Sequence, residues 1–202
     1  MLADYAVRPA RMLEPSAGVG VFVGSAPRHS PNADAMAFEK DLLTGTILRH
    51  LYPDQKMRTC GFEKIERPFN NYFDLAVSNI PFGDIAVFDA GVSAERLFRQ
   101  TRPENHPQLF LLKGLDARRD GGIVAFITSQ GVLNSTKTSV RNELFSQANL
   151  VSAIRLPNNL FTDNAGTEVG SDLIVLQKNL SKQKMSQDER LMTVIQTDTK
   201  PP

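Results

Sequence analysis

A carboxylate directly precedes a glycine-bearing turn in the stretch LEPSAGVGVF, residues 13–22. Gly18 and Gly20 let the backbone approach a ligand closely and adopt positive φ. Glu14 would repel an anionic dinucleotide but would attract a ligand that carries a cationic group. S-adenosylmethionine (SAM) carries an ammonium and a sulfonium, so it suits this stretch on charge. Two other interpretations stay open: a dinucleotide site, because Gly18, Gly20 and Gly24 loosely imitate that fingerprint, and a purely structural turn.

An acidic residue also ends the second predicted strand, about 20 residues beyond the glycine turn. At this point in nucleotide-binding sheets a carboxylate accepts hydrogen bonds from ribose hydroxyls. We therefore expect Glu39 to hold a ribose.

A second constellation follows another predicted strand, in the sequence FDLAVSNIPFGD. The strand delivers Asn79 at its carboxyl end, followed by Ile80, Pro81 and Phe82. This stretch resembles the Asn-Pro-Pro-Tyr/Phe motif of DNA adenine-N(6) methyltransferases. LEPSAGVGVF resembles the SAM-binding motif of the same family, in the same order and at a similar separation.

The resemblance extends over residues 11–178, where GGIVAFITSQGVL looks like the family's fifth strand and following loop. The chain is most similar to methylase-type modules of large bacterial DNA-modification or mobile-element proteins, some of which also carry a helicase. The resemblance implies that Phe62 and Glu63 lie near the adenine of SAM. With Glu39 and the glycine turn, the expected cofactor residues are Glu14, Pro15, Ser16, Ala17, Gly18, Gly20, Glu39, Phe62 and Glu63.

The resemblance also implies how the target amine is held. The family supplies two acceptors, here the side-chain oxygen of Asn79 and the backbone carbonyl of Ile80, which would favour an amine nitrogen with an available lone pair. Pro81 would pre-shape the turn, and Phe82 would stack on an adenine flipped out of the duplex. Ile80 replaces the family's first proline, so the turn keeps the carbonyl, loses one φ restraint and gains an N–H donor.

Short apolar runs alternate with helical segments along the chain. The pattern predicts strands at residues 11–15, 33–39, 56–62, 72–79, 122–129, 150–156 and 171–178, and helices at 41–52, 106–119 and 138–148. This alternation indicates an α/β fold with a doubly wound, mainly parallel Rossmann-like sheet of the SAM-dependent methyltransferase type. The last two strands have no helix between them, which predicts an antiparallel C-terminal hairpin at one edge. Ligands of such sheets bind beyond the carboxyl ends of the strands, so both motifs should open onto one crevice.

The composition is that of an ordinary globular protein, with 202 residues, 41% hydrophobic and 22% charged. The net charge of +1 means that a polyanion would have to be met by a local patch. The single Cys60 excludes an internal disulfide and a cysteine-based metal cluster, and the scattered histidines lack metal-ligand spacing. There is no signal peptide and no apolar run of the length that spans a bilayer. We therefore expect a cytoplasmic protein without a metal site or a membrane partner.

We expect a catalytic core over residues 1–179 and a polar tail or linker over residues 180–202, with a short strand at 191–197. Few residues precede Leu13, and they lack the Tyr-x-Thr-Pro-like signature that completes the family's cofactor pocket. No target-recognition domain follows residue 178. The sequence therefore predicts a truncated core whose partners are DNA and other domains of a longer polypeptide.

Two groups of basic side chains flank the predicted cleft. Arg96, Arg99 and Arg102 follow the second motif, and Lys137 and Arg141 follow the fifth strand. Either group could contact DNA phosphates or form a solvated charged face.

The sequence thus favours a SAM-dependent methyltransferase acting on the N(6) amine of adenine in DNA. Two alternatives remain. One is a non-catalytic module that keeps the fold to bind DNA or a partner domain. The other is a methyltransferase acting on RNA or on protein glutamine, because similar turns hold planar amides.

Overall fold

The structure is a computed structural model that describes residues 9–81, 106–135, 138–159 and 170–194. Its strands are β1 (Arg11–Glu14), β2 (Asp34–Glu39), β3 (Lys56–Thr59), β4 (Phe73–Asn79), β5 (Arg118–Ser129), β6 (Ala148–Arg155) and β7 (Ser171–Lys178). Its helices are α1 (Val21–His29), α2 (Leu42–Leu51), α3 (His106–Asp116), α4 (Gly131–Asn134), α5 (Ser139–Gln147) and α6 (Gln187–Thr193). Two single-turn 3₁₀ helices, Phe62–Lys64 and Arg67–Phe69, connect β3 to β4.

The seven strands form one sheet in the order β3-β2-β1-β4-β5-β7-β6. Every pairing from β3 to β5 is parallel, whereas β7 runs antiparallel to both of its neighbours. The doubly wound α/β sheet with an antiparallel C-terminal hairpin is therefore confirmed. Because β1 lies between β2 and β4, the turns that follow these three strands meet at one edge.

Alternate strand residues bury their side chains on opposite faces of the sheet. On β1, Leu13 packs with Phe38 and Leu111 on one face, whereas Met12 packs with Val23 and Leu48 on the other. Helices therefore cover both faces, with α1 and α2 on one side and α3 and α5 on the other. A sheet buried on both faces needs nearly continuous apolar strands, which explains why β2 is AMAF through its centre.

The boundary between α3 and β5 differs from the prediction. The predicted helix over 106–119 ends at Asp116, and the strand begins at Arg118 rather than at residue 122. Gly121 and Gly122 lie inside β5, where Gly121 has φ +74° and the β4–β5 register shifts between Phe73 and Leu75. The glycine pair thus marks an irregularity in the strand and does not end the helix.

The α2 helix is confirmed, but its burial is narrower than its apolar pattern indicates. Leu48 is fully buried, whereas Leu42, Leu43, Ile47 and Leu51 are each 43–73% exposed. The helix rests on β3 through Gly45, because a Cβ at that position would collide with Thr59. The face of α2 that contacts β3 is therefore the one with the small Gly45, and the larger side chains point away from β3.

The C-terminal segment contains a helix where the sequence predicted a strand over 191–197. Helix α6 starts at a capping box in which the Ser186 hydroxyl accepts from the Glu189 N–H, and the Glu189 carboxylate accepts from the Ser186 N–H. The Ser-x-x-Glu pattern that specifies such a cap was present in the sequence and was missed.

Two buried side chains fasten this segment to the outer edge of β6. Glu189 accepts from the N–H of Leu150 and pairs with Lys182 at 2.6 Å, while Lys182 also donates to the Ala148 carbonyl. Burial alone would raise the pKa of Glu189, but the hydrogen bonds from Lys182 and from Leu150 hold it below its usual range. The domain boundary at residue 179 stays a prediction.

Within the described ranges, no helix combines the length and the apolar character needed to cross a membrane. The same residues contain no group of His, Cys, Asp and Glu that could hold a metal ion.

Candidate active site

Two hydrogen bonds join the loop after β1 to the end of β4. The Ser16 N–H donates to the Ser78 hydroxyl at 3.3 Å, and that hydroxyl donates to the Ser16 carbonyl at 3.0 Å. The glycine turn and Asn79 therefore lie side by side at the carboxyl edge of the sheet, as the two motifs require.

The glycine turn has the predicted left-handed backbone, with φ +55° at Gly18 and +84° at Gly20. The space around Gly18 is open, whereas a Cβ on Gly20 would collide with Leu48 and Tyr52. Tyr52 also donates from its hydroxyl to the Gly20 carbonyl at 3.0 Å and fills the space beside Gly24. Gly20 and Gly24 thus allow α1 to pack closely against Tyr52 and α2.

Glu14 is almost completely buried at 1% exposure. Its carboxylate accepts a hydrogen bond from the Val23 N–H at 2.9 Å, at the amino end of α1. Burial raises the pKa of Glu14 to about 8, against the lowering effect of the N–H groups of Val23 and Phe22. The side chain therefore anchors the turn to the helix, and its predicted contact with a cofactor stays a prediction.

Glu39 bridges two backbone segments at the end of β2. One carboxylate oxygen accepts from the Gly18 N–H and the other accepts from the Asp41 N–H, both at 2.8 Å. A carboxylate has about four lone-pair sites, so each oxygen keeps capacity for a further donor. Glu39 thereby holds the glycine turn in place and remains able to accept from a ribose.

A cavity of about 370 Å³ opens between these loops. Six of the predicted site residues line it: Pro15, Ser16, Glu39, Phe62, Glu63 and Pro81. Five further residues complete the lining: Phe38, Lys40, Asp41, Gly61 and Phe110. Residues of both motifs thus line the cavity. Six other predicted site residues do not line it: Glu14, Ala17, Gly18, Gly20, Asn79 and Ile80.

Aromatic rings form one wall of the cavity. Phe62 contacts Phe38 edge to face and packs against Phe110, with ring centroids 5.6 Å apart in both pairs. Phe62 was identified from the sequence, but at 2% exposure it is largely core. Phe110 was missed, because its apolar neighbours in α3 are core residues and nothing in the sequence distinguishes it from them.

The second motif begins at the end of β4 and places its isoleucine in the core. Asn79 is exposed at the end of β4, while Ile80 is buried at 1% exposure. The N–H that a proline would lack donates to the Ile127 carbonyl at 2.9 Å, which extends the β4–β5 pairing by one residue. Phe82 lies outside the described residues.

Of the five basic residues predicted to flank the cleft, the structure describes Arg141. Arg141 is buried, where it donates to the carbonyls of Val132 and Met192, and burial lowers its pKa. It therefore joins α4 to α6 and does not face a phosphate. Arg96, Arg99, Arg102 and Lys137 lie outside the described residues.

Solved structures with a similar fold include modification subunits of type I restriction enzymes. The chain matches the modification subunit of a putative type I restriction enzyme from Vibrio vulnificus YJ016 with a TM-score of 0.66 and 17% identity, covering 84% of this chain and 40% of that one. It matches the type I restriction enzyme EcoKI M protein with a TM-score of 0.67 and 16% identity, again covering 84% and 40%. TrmN from Thermus thermophilus matches at a TM-score of 0.53 and 20% identity, with 88% and 46% covered. The fold is that of Rossmann-like methyltransferases.

The family model described as N-6 DNA Methylase matches residues 52–199, more than half of the chain, and the protein belongs to this family. Over 180 residues it is 29% identical to "Defense against restriction protein B" of Escherichia phage P1. That match covers 87% of this chain but only 8% of the relative, so the chain spans less than a tenth of that protein. The resemblance seen in the sequence is confirmed, and family membership implies a methyl donor.

Proposed function

We propose that this chain is the core of a SAM-dependent methyltransferase that modifies the N(6) amine of adenine in DNA. The observation that carries the proposal is the cavity lined by residues of both motifs, at the hydrogen-bonded carboxyl ends of β1 and β4. A donor bound in that cavity lies next to Asn79, so the two reacting groups can be brought together. Membership in the N-6 DNA Methylase family supports the choice of substrate.

The cavity residues fit the chemical parts of SAM. The Glu39 carboxylate has free acceptor capacity for ribose hydroxyls, and the aromatic wall of Phe62 and Phe110 suits an adenine ring. Glu63 and Asp41 add carboxylates that favour a ligand with cationic groups. When bound, SAM supplies an electrophilic methyl group.

The target amine would be held by two acceptors at the end of β4. The side-chain oxygen of Asn79 and the carbonyl of Ile80 accept the two amine hydrogens, with Phe82 stacking on the flipped base. The hydrogen bond from Ile80 to Ile127 and the burial of its side chain fix this turn. Preorganised acceptors need no rearrangement during methyl transfer, so positioning supplies most of the catalysis.

The proposal is tested with tritiated SAM and with DNA, RNA and protein offered side by side. We expect label in DNA, at the N(6) position of adenine. Asn79→Ala should reduce methyl transfer by at least 100-fold while leaving SAM affinity, measured by calorimetry, within about twofold, since removal of one preorganised hydrogen-bonding group costs roughly 10²–10³ in rate. Asn32→Ala, in an exposed turn at the opposite edge of the sheet, is the matched control.

A non-catalytic module is the second candidate, favoured by Ile80 in place of proline. The chain also spans 40% of the modification subunits and 8% of the phage relative, so other domains of a longer polypeptide are expected partners. SAM binding without transfer to any substrate, in the chain and in a longer polypeptide alike, would establish this candidate. Label in RNA or glutamine would favour the remaining alternative.

A further inference from the structure

The carboxyl edge of the sheet continues past Asn79 over β5, β7 and β6. None of the residues that line the cavity belongs to these three strands. The cavity occupies the half of the edge formed by β3, β2 and β1, with Asn79 at the boundary. On the other half of this edge, the described residues Gln130, Asn134 and Arg155 are exposed.

A polar cluster stands on this second half. Arg155, at the end of β6, donates from Nε and Nη2 to the two carboxylate oxygens of Asp172, at 2.5 and 3.4 Å. Its Nη1 donates to the Gln130 side-chain oxygen and its Nη2 to the Asn134 side-chain oxygen, both at 3.3 Å. Asp172 is 1% exposed at its side chain, whereas the Arg155 side chain is 50% exposed.

The guanidinium fixes the orientation of both carboxamides. Because their oxygens face Arg155, the NH₂ groups of Gln130 and Asn134 point away from it, and both residues are exposed. Gln130 is further restrained by Gly170, where a Cβ would collide with the Gln130 amide and whose carbonyl accepts the Gln130 N–H. Among the described residues, neither amide nitrogen has a hydrogen-bond partner. The cluster therefore presents donors outward and acceptors inward.

We propose that Gln130, Asn134 and Arg155 form a hydrogen-bonding site for the DNA next to the target adenine. This inference rests on the proposed function. The outward NH₂ groups suit the acceptors of DNA, which are phosphate oxygens and the N7 and O6 atoms of purine edges. The buried Asp172 cancels the charge of Arg155, so the site acts through short-range, directed hydrogen bonds.

The position of the cluster agrees with this role. Neighbouring strands are about 4.8 Å apart, so β6 lies roughly 14 Å from β4, three strands away. A DNA strand rises about 3.4 Å per nucleotide. The cluster is thus within about four nucleotides of a base held at Asn79.

The test uses the full chain and a fluorescein-labelled 30-base-pair DNA duplex of mixed sequence, with binding followed by anisotropy. The variant Gln130→Met/Asn134→Leu removes the outward donors with nearly the same side-chain volume and no change of charge. The control Gln187→Met/Asn32→Leu alters two exposed amides on α6 and before β2, away from this edge. We expect about tenfold weaker DNA binding for the first variant and a change below twofold for the control, since two hydrogen bonds contribute on the order of tenfold.

A salt series checks that the loss comes from hydrogen bonds. The variant changes no charge, so the salt slope of binding, which counts phosphates neutralised by cationic side chains, should stay that of the wild type. Equal DNA affinity of the variant and the wild type, or no DNA binding by the wild type at low salt, overturns the inference. The same measurement is made with an RNA duplex. If the wild type binds RNA more tightly than DNA, and the variant weakens both equally, the assignment to DNA is overturned. The SAM affinity of the variant is measured in parallel, because intact SAM binding with unchanged DNA binding refutes this site and leaves the proposed function standing.

Discussion

At the scale of single residues, positions that line the cavity are close in sequence to positions that are buried. Glu39 and Pro81 line the cavity, whereas Glu14 and Ile80 lie buried behind it. The motifs could be found in the sequence because their residue types are unusual together. The sequence could not predict which of these residues line the cavity, since a carboxylate before a glycine turn gives the same pattern whether it faces a ligand or a helix end.

Glu14 should make the stability of the protein depend on pH. Its folded pKa of about 8 lies above the unfolded value, so its favourable contribution is complete below about pH 4.5 and is lost as the pH rises towards 8. The loss should reach up to about 1.4 kcal/mol per pH unit in this window. Urea unfolding from pH 5 to 8 should show a flatter profile for Glu14→Gln than for the wild type. Identical slopes would contradict burial of the protonated carboxyl.

Ile80→Pro restores the proline of the family motif, yet it should destabilise this chain. The substitution removes the N–H that donates to Ile127 and replaces a buried side chain. We expect a loss of about 2–4 kcal/mol in the free energy of unfolding. Ile80→Val, which keeps the N–H, should cost about 1 kcal/mol. A proline variant as stable as the wild type would show that the backbone bond contributes nothing.

At the scale of elements, most strands and the helices α2 and α5 were predicted to within two residues, whereas the end of β3 and the boundary between α3 and β5 were misplaced by three or four residues. The β-rich runs identified all seven strands because both faces of the sheet are buried, which leaves long apolar segments. Helix α3 was extended too far because the glycines at 121 and 122 resemble a helix end. Helix α6 was missed because the capping pattern at Ser186 was outweighed by the polar composition of the tail.

The ion pair of Lys182 and Glu189 should contribute strongly to stability. Glu189→Ala leaves the buried Lys182 ammonium without its carboxylate and the N–H of Leu150 without an acceptor, at a cost of about 3 kcal/mol. Lys182→Met/Glu189→Leu should lose less than the single variant, because no buried charge is left alone. Asp188→Ala, exposed on the same helix, is the control and should change stability by less than about 0.5 kcal/mol. Denaturant midpoints of the four proteins provide the comparison.

At the scale of the whole molecule, the cavity lies on the parallel half of the sheet and the polar cluster around Arg155 lies on its antiparallel half. The alternation of strands and helices predicted both halves. It did not predict that the segment after β7 folds back on β6, because side-chain contacts to an edge strand leave no periodic signal.

Removal of residues 180–202 tests the predicted domain boundary. The truncation takes away the side chains that satisfy the Ala148 carbonyl and the Leu150 N–H on the outer edge of β6. An open strand edge pairs readily with other chains. We expect the shortened protein to associate, as measured by light scattering at increasing concentration. A shortened protein that stays monomeric with an unchanged unfolding midpoint would support a core that ends at residue 179.

The bond from Ile80 to Ile127 has one more consequence. Relatives with proline at this position have no amide proton there, so hydrogen–deuterium exchange cannot observe their turn directly. Here the amide of Ile80 lies next to Asn79, the proposed catalytic residue, and is protected only while β4 and β5 stay paired. Its exchange rate, read by NMR with and without nucleotide ligands, therefore measures how stable the β4–β5 pairing is beside the proposed site.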